Sequence, residues 1–176
     1  GGGFEQCYNA QIAVDMDSLL IVSTNTVQAG NDKQQIEPML KRLEALPDEL
    51  GDLDALVADT GFYSEANVNA CAARDLLPLI AVSREAHHPD PLARFTEPPP
   101  LAETATPTER MRHHLKTKKG RALYGRRKCT VEPVIGIIKS VLGFRQFLLR
   151  GLDNVKGEWN LVALAWNLKR MHVLAG

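Results

Sequence analysis

Apolar and polar positions over the first 50 residues follow a strand spacing and then a helix spacing. YNAQIAVD (8–15) and LLIVSTNTV (19–27) are short runs that contain β-branched residues, and the tight turn Met16-Asp17-Ser18 between them predicts a β-hairpin. The next segment, KQQIEPMLKRLEAL (33–46), has the spacing of an amphipathic helix. Its apolar positions are Ile36, Met39, Leu40, Leu43 and Leu46. Asn31 or Asp32 can cap the start of this helix.

Residues 54–83 alternate between buried-strand and helix patterns. DALVAD (54–59) is a short apolar run closed by Asp59, and LLPLIAVS (76–83) is a second such run, so both are predicted to be buried strands. SEANVNACAARD (64–75) begins with Ser64 as an N-cap and predicts a helix between them. This order predicts an α/β fold, a mixed sheet flanked by helices.

Residues 84–106 lack periodicity and contain HHPDP and TEPPP, which indicates a proline-rich insertion or linker. Thr106, Pro107 and Glu109 then predict a helix start with a capping box. That helix is predicted to reach Lys119 and to end at Gly120. Further along, GFRQFLLRG (143–151) predicts extended backbone, able to pair with a sheet edge or to follow DNA.

The helix around Glu132 has two stripes. The apolar stripe predicts a face packed in the core, and its members are Val131, Val134, Ile135, Ile138 and Leu142. The second stripe consists of Lys128, Glu132, Gly136 and Lys139. This spacing places Glu132 at the border of the core. Two interpretations stay open, an ordinary ion pair on a solvated face and a carboxylate used in a site.

Composition indicates one cytoplasmic domain. The chain has 176 residues, which suits a single core, and its apolar runs fall short of the ~20 residues of a membrane helix. Its three cysteines, Cys7, Cys71 and Cys129, are scattered and form no CxxC pair, which favours reduced core thiols over a disulfide frame or a zinc site. Trp159 and Trp166 lie seven positions apart and are predicted to belong to a core stripe. The opening GGGFEQ, without an initiator Met, indicates a fragment.

The formal net charge of zero conceals an uneven distribution. Residues 1–106 contain 6 Lys and Arg against 17 Asp and Glu, whereas residues 107–176 contain 15 against 4. A basic half with cations clustered in KTKKGR and YGRRK is typical of a surface that binds a polyanion such as nucleic acid. Mutual neutralisation of the two halves within one fold is the alternative.

Asp59 and Glu132 together predict a metal-dependent reaction on a phosphodiester. Asp59 ends a predicted strand at its carboxyl end, where open α/β sheets place their ligands. Carboxylates from a strand end and from a helix suit a pair of Mg²⁺ ions that hold attacking and leaving oxygens in line. Cations such as Arg127 and Lys139 can then position flanking phosphates.

An ordered set of motifs resembles the catalytic domain of bacterial insertion-sequence DDE transposases. The motifs are YNAQIAVD, then Asn31-Asp32, then ADTGFYS, then Tyr124 to Lys139, then GFRQFLLRGL and the WNL helix. They cover nearly the whole chain except the proline-rich insertion. The closest group is the one with a Tyr–Arg–Glu–Lys signature around its glutamate.

The resemblance implies a ribonuclease-H-like fold that cuts and joins DNA with two divalent ions, Mg²⁺ or Mn²⁺, on an Asp–Asp–Glu triad. Asp59 resembles the second Asp and Glu132 the Glu, so these two are the predicted catalytic and metal-binding residues. Tyr124, Arg127 and Lys139 resemble the rest of the signature. The signature's Arg lies four positions before the Glu, where this chain has Lys128, so Arg127 and Lys128 both stay candidates for a phosphate contact.

The family's first Asp lies on a strand that precedes YNAQ. We therefore expect residues 1–176 to form a single, partial catalytic domain that is inactive alone, with the insertion at 84–106 inside it. The implied partner is DNA at the transposon ends, and a homodimer in a synaptic complex is a further candidate. The sequence offers DNA these other cations: Lys118, Lys119, Arg121, Arg126, Arg145 and Arg150.

Two other functions stay open at this point: a non-catalytic DNA-binding remnant, and a cellular nuclease of the same fold. Single residues also keep alternatives. Tyr124 is either close to a DNA end or a helix-start residue that packs on the insertion. Asp32 is most simply a helix cap, and Asp15 and Asp17 are explained by the hairpin turn.

Overall fold

The computed structural model describes residues 7–83 and 96–176. By its internal contacts the chain separates into two compact units. We call residues 1–30 and 128–176 the terminal unit and residues 31–127 the central unit. The described residues form helices and two small two-stranded sheets, a mixed α/β architecture as predicted.

The terminal unit begins with the predicted hairpin. Strand β1 (Asn9–Val14) pairs antiparallel with β2 (Ile21–Val27), with Asn9 opposite Val27 and an irregularity at Ala13/Val14. The Asp15 carboxylate organises the turn, because its Oδ2 accepts from the Ser18 amide (2.7 Å) and hydroxyl (2.6 Å). The hairpin and the turn role of Asp15 are therefore confirmed.

Helices α5 (Val131–Ser140) and α6 (Leu152–Leu174) complete the terminal unit. Trp159 and Trp166 of α6 are each 5% exposed, which confirms the predicted core stripe. Their indole Nε1–H groups donate to the carbonyls of Gln11 (3.1 Å) and Leu19 (2.8 Å), so these large side chains are buried without losing their polar contacts. The buried core residues are Ile21, Val134, Ile138, Trp159, Ala163 and Trp166.

The central unit contains the two predicted buried strands. Strand β3 (Ala55–Ala58) pairs in parallel with β4 (Leu77–Ile80), and α2 (Glu65–Ala72) connects them. The Ser64 hydroxyl caps α2 by accepting from the Asn67 amide at 3.2 Å, as predicted. The buried core residues are Ile36, Leu40, Val68, Cys71, Leu76, Ile80 and Met111.

Helix α1 (Ile36–Glu44) forms where the apolar spacing predicts it, but the predicted cap is wrong. Its N-cap is Gln35, whose side chain makes no capping hydrogen bond, so neither Asn31 nor Asp32 caps it. Arg74, after α2, holds the Glu37 carboxylate of α1 with Nη1–Oε2 and Nη2–Oε1 distances of 3.0 and 3.1 Å. This guanidinium also lowers the pKa of Glu37.

The predicted capping box is present at the start of α3 (Pro107–Lys116). The predicted end of that helix is wrong, because α3 stops at Lys116 and α4 (Lys118–Gly125) follows directly. Thr117 separates them, and its hydroxyl accepts from the Gly120 amide at 3.0 Å. Gly120 is buried inside α4, where a β-carbon would overlap the His114 carbonyl. Gly120 thus permits a close approach of two helices rather than ending one.

Two loop predictions are settled only in part. Residues 84–95 of the proposed insertion lie outside the described residues. Its later part contacts α3 and α4: Glu97 Oε1 accepts from the Lys118 amide (3.0 Å) and the Pro99 carbonyl accepts from His113 Nε2 (2.8 Å). The segment 143–151 forms no strand in the structure described. The amide groups of Leu148 and Leu149 donate to Glu158 instead.

Across residues 7–83 and 96–176, the structure contains no helix with the length and apolar character needed to cross a membrane.

Candidate functional site

Asp59 lies at the carboxyl end of β3, as predicted from the strand pattern. It caps a short 3₁₀ turn (Thr60–Phe62), and its Oδ1 accepts from the Gly61 amide at 2.9 Å. The side chain is exposed. One carboxylate oxygen is therefore held by backbone while the group as a whole is accessible to solvent.

The structure brings a second carboxylate, Asp32, to the same turn. A β-carbon built on Gly61 would lie 3.1 Å from Asp59 Oδ1 and 3.4 Å from Asp32 Oδ2. Sequence reasoning missed this arrangement, because the Asn31-Asp32 pair before α1 was interpreted as a helix cap. The absence of a side chain at residue 61 leaves room for both carboxylates.

Asn67 explains why these two acids converge. Its side chain is 3% exposed, and its Nδ2 donates to the carbonyls of Phe62 (2.7 Å) and Lys33 (2.8 Å). One amide group thus ties the turn after Asp59 to the segment that carries Asp32. Breaking both bonds would remove this donor from the Phe62 carbonyl and leave the Lys33 carbonyl with the Ser64 hydroxyl, 3.3 Å away.

Glu132 lies in the first turn of α5. Its side chain is exposed, so the prediction that it borders the core is wrong. Lys128 is also not on the same helix face, because it belongs to a 3₁₀ turn (Arg126–Cys129) that precedes α5. Lys139 is exposed in the last turn of α5. A negative charge in the first turn of a helix is favourable to the helix dipole.

Tyr124 and Arg127, two residues of the predicted signature, contact each other. The Arg127 guanidinium carbon lies 5.9 Å from the centre of the Tyr124 ring, a cation–π arrangement. Tyr124 lies near the end of α4, which excludes the alternative of a helix-start tyrosine. The Tyr124 ring thus keeps the Arg127 guanidinium close to the end of α4. We call residues 116–128, which contain KTKKGR and YGRRK, the basic segment.

The remaining predicted cations are mostly exposed. In the central unit Lys118, Lys119 and Arg126 are exposed, whereas Arg121 is half-buried and its Nη2 donates to the Thr96 carbonyl at 3.4 Å. In the terminal unit the exposed cations are Lys128, Arg145 and Arg150. Both units therefore have solvent-exposed cations at positions that are close in sequence to the predicted signature.

Asp59 belongs to the central unit and Glu132 to the terminal unit, and their convergence stays a prediction. Over the described ranges, no three His, Cys, Asp or Glu side chains form a group that could hold a metal ion. The donor chemistry at Asp59, carboxylate oxygens with a second acid nearby, nevertheless suits a hard cation such as Mg²⁺.

The predicted site residues are a strand-end aspartate in the central unit and a helix-borne glutamate in the terminal unit. Residues 101–172 match the family model described as "Transposase DDE domain". The matched segment includes Glu132 and every residue of the predicted signature, and it confirms the resemblance to a DDE transposase catalytic domain. A search of curated proteins finds no match, and neither does a search of solved structures.

Proposed function

We propose that this chain is part of a transposase with a ribonuclease-H-like catalytic domain of the Tyr–Arg–Glu–Lys signature group, whose complete protein cleaves and joins DNA at the element ends. The observation that carries the proposal is the position of Glu132. It is exposed in the first turn of α5, inside the segment that matches the transposase family, with cations on both sides in the sequence.

Asp59 and Glu132 are the proposed metal-binding residues. The Gly61 amide donates to Oδ1 of Asp59, and this bond to the backbone orients the carboxylate. The direction of the other oxygen, Oδ2, is fixed with it. When bound, Mg²⁺ or Mn²⁺ would stabilise the negative charge that develops on the phosphoryl oxygens. Residues 1–176 offer counterparts to only two of the three family carboxylates, so we do not expect them to cut DNA alone.

The signature cations position the DNA in this proposal. Arg127, held over Tyr124, presents a planar guanidinium that can contact one phosphate with two donors. Lys128 and Lys139 act as point charges on neighbouring phosphates. Exposed cations in both units extend the contact along the DNA backbone.

The catalytic test measures Mg²⁺- or Mn²⁺-dependent nicking of DNA that carries the element ends. A chain extended upstream should nick, and Asp59→Asn or Glu132→Gln should abolish nicking while DNA binding persists. The matched control is Glu65→Gln, an exposed acid in the first turn of α2, which should keep full activity. Nicking by the 176-residue chain itself would overturn the incomplete-triad argument, and Asp32→Asn would then test the second acid of the Asp59 turn.

A DNA-binding remnant is the second candidate, favoured by the uneven charge distribution. Binding through the basic segment should be tolerant of sequence and should weaken with salt by roughly 0.9 log unit per log unit of salt for each phosphate neutralised. The triple substitution of Arg126, Arg127 and Lys128 by Ala should reduce this slope by up to ~3. The control triple, Lys33, Lys41 and Arg42 to Ala, should leave the slope unchanged. Affinity with no nicking by any extended chain would favour the remnant.

A further inference from the structure

A proline-rich segment of the central unit lies against α3 and α4. We call residues 96–105, with the sequence TEPPPLAETA, the strap. Its backbone forms neither helix nor strand, and its three successive prolines, at 98–100, lack an N–H group. The carbonyl groups of such a segment have few backbone donors of their own. They are therefore available to donors on neighbouring elements.

Basic side chains of α3 and α4 supply these donors. Within the described chain, four strap carbonyls accept hydrogen bonds from three basic side chains. The pairs are Arg121 Nη2 to Thr96 (3.4 Å), His113 Nε2 to Pro99 (2.8 Å), Arg110 Nη2 to Glu103 (3.0 Å) and Arg110 Nε to Ala105 (3.0 Å). Because a carbonyl only accepts, the imidazole is the donor in its pair. Guanidinium groups also bind phosphate, so the strap occupies donors that a polyanion would use.

The Glu97 side chain of the strap reaches the start of α4. Its Oε1 accepts from the amide of Lys118, the first residue of this helix, at 3.0 Å. The first turn of α4 has no acid of its own and contains Lys118 and Lys119. Since a negative charge is favourable at a helix N-terminus, Glu97 supplies the anion that the sequence of α4 lacks. A DNA phosphate offers the same negative charge and acceptor oxygens.

Charge, rather than apolar packing, attaches the strap to these helices. The strap has two acids and no Lys or Arg, whereas residues 107–125 have six Lys and Arg against one acid. None of the described strap residues is buried, and its one leucine, Leu101, is 40% exposed. Release of the strap would therefore break exposed hydrogen bonds without opening the core of the central unit.

We propose that the strap covers the start of the basic segment in the free protein and is displaced when DNA binds. Glu97 and the strap carbonyls take the places of phosphate oxygens at the Lys118 amide and at Arg121, so the strap and DNA compete. The consequence is a lower affinity for DNA than the same cations would have without the strap. This inference rests on the proposed function, because DNA is the polyanion of that proposal.

The affinity for a labelled DNA duplex of arbitrary sequence, measured by fluorescence anisotropy, tests the competition. Glu97→Ala removes an acid together with its contact to α4, so its dissociation constant should fall about three- to fivefold. The matched control is Glu103→Ala, which removes an exposed acid of the same strap and keeps the backbone carbonyl that Arg110 holds. Its dissociation constant should stay within about twofold of the parent's. Circular dichroism and thermal melting show that both variants are folded.

Limited proteolysis shows whether the strap leaves. A Glu-specific protease cuts the bond between Glu103 and Thr104 efficiently only when the strap is released, and mass spectrometry identifies the fragments. DNA should speed up this cleavage in the parent, and the same DNA at high salt, where binding is lost, should not.

The outcomes separate this inference from the proposed function. Equal dissociation constants for Glu97→Ala and Glu103→Ala, or protection of the bond after Glu103 by DNA, would overturn the role of the strap alone. Absence of DNA binding by the parent and by both variants would overturn this inference together with the DNA contacts proposed above.

Discussion

The two compact units hold their predicted site residues by different means. In the terminal unit, strands adjacent in sequence form a hairpin, and Trp159 and Trp166 fasten α6 to it with packing and indole hydrogen bonds. In the central unit, β3 and β4 are parallel and separated by α2, and side-chain amide and guanidinium groups join distant segments. The position of Glu132 thus depends on the packing of a core that contains two tryptophans. The geometry at Asp59 depends on the hydrogen bonds of the Asn67 side chain, which we call the polar clamp.

The largest expected effect is in the terminal unit. Trp166→Ala should lower the free energy of unfolding by about 3–5 kcal/mol, because it removes a 5% exposed indole from the core. Trp166→Phe keeps much of the packing and loses the bond to Leu19, so its cost should be clearly smaller. Urea unfolding measures both variants. Equal losses would mean that the hydrogen bond, rather than the packing, holds α6.

The central clamp should give a smaller but more local effect. Asn67→Ala removes both bonds to Phe62 and Lys33 and should cost about 1–3 kcal/mol, because the Phe62 carbonyl loses this donor and the Lys33 carbonyl keeps the Ser64 hydroxyl at 3.3 Å. The matched control is Asn69→Ala, an exposed position of the same helix, expected within about 0.5 kcal/mol of the parent. Amide exchange at Gly61 and Lys33 should speed up only in the Asn67 variant. If both variants behave alike, the clamp does not hold the Asp59 turn.

The capping box of α3 adds a pH-dependent contribution in the central unit. Thr106→Ala should cost about 1 kcal/mol, the usual value for a lost N-cap. The Thr106 amide and hydroxyl lower the pKa of Glu109, so the ionised carboxylate is the form that the fold favours. This stabilisation is present above the ordinary pKa of a glutamate and is lost as the pH falls through the lowered value. Thermal melts of the parent and of Glu109→Gln from neutral to acidic pH should therefore converge at low pH.

The last prediction concerns the reactivity of the Cys71 thiol, which reports whether the central core stays closed. It involves no change in stability. Burial raises the pKa of this thiol to about 11. Cys7 and Cys129 are exposed, so the prediction of core thiols is confirmed for Cys71 and wrong for the other two. Brief alkylation near neutral pH should therefore modify Cys7 and Cys129 and leave Cys71 unmodified until the chain unfolds. Mass spectrometry of the digested protein measures this. Modification of Cys71 in the folded parent would show that the central core opens easily, and Asn67→Ala should be tested for the same opening.

Local features were predictable from the sequence, because short-range physics determines them. The β-branched runs around a polar turn predicted the hairpin, the Thr106-to-Glu109 spacing predicted the capping box, and the seven-residue separation of Trp159 and Trp166 predicted a buried stripe. The order of the motifs also indicated a resemblance to DDE transposases, and the family match over residues 101–172 confirms that resemblance. The hairpin, the capping box and the tryptophan stripe each depend on residues close together in the sequence.

Features that depend on segments distant in sequence were decided by the tertiary structure. The pairing of Asp32 with the Asp59 turn depends on Asn67, whose side chain contacts Lys33 across 34 positions. The break at Thr117 reflects the close approach of Gly120 to the His114 carbonyl, which a helix-stop rule for glycine does not anticipate. Helical spacing placed Lys128 on the face of Glu132, but the backbone tightens into a 3₁₀ turn before α5 begins. Spacing determines which residues share an element, whereas contacts between elements determine which carboxylates meet.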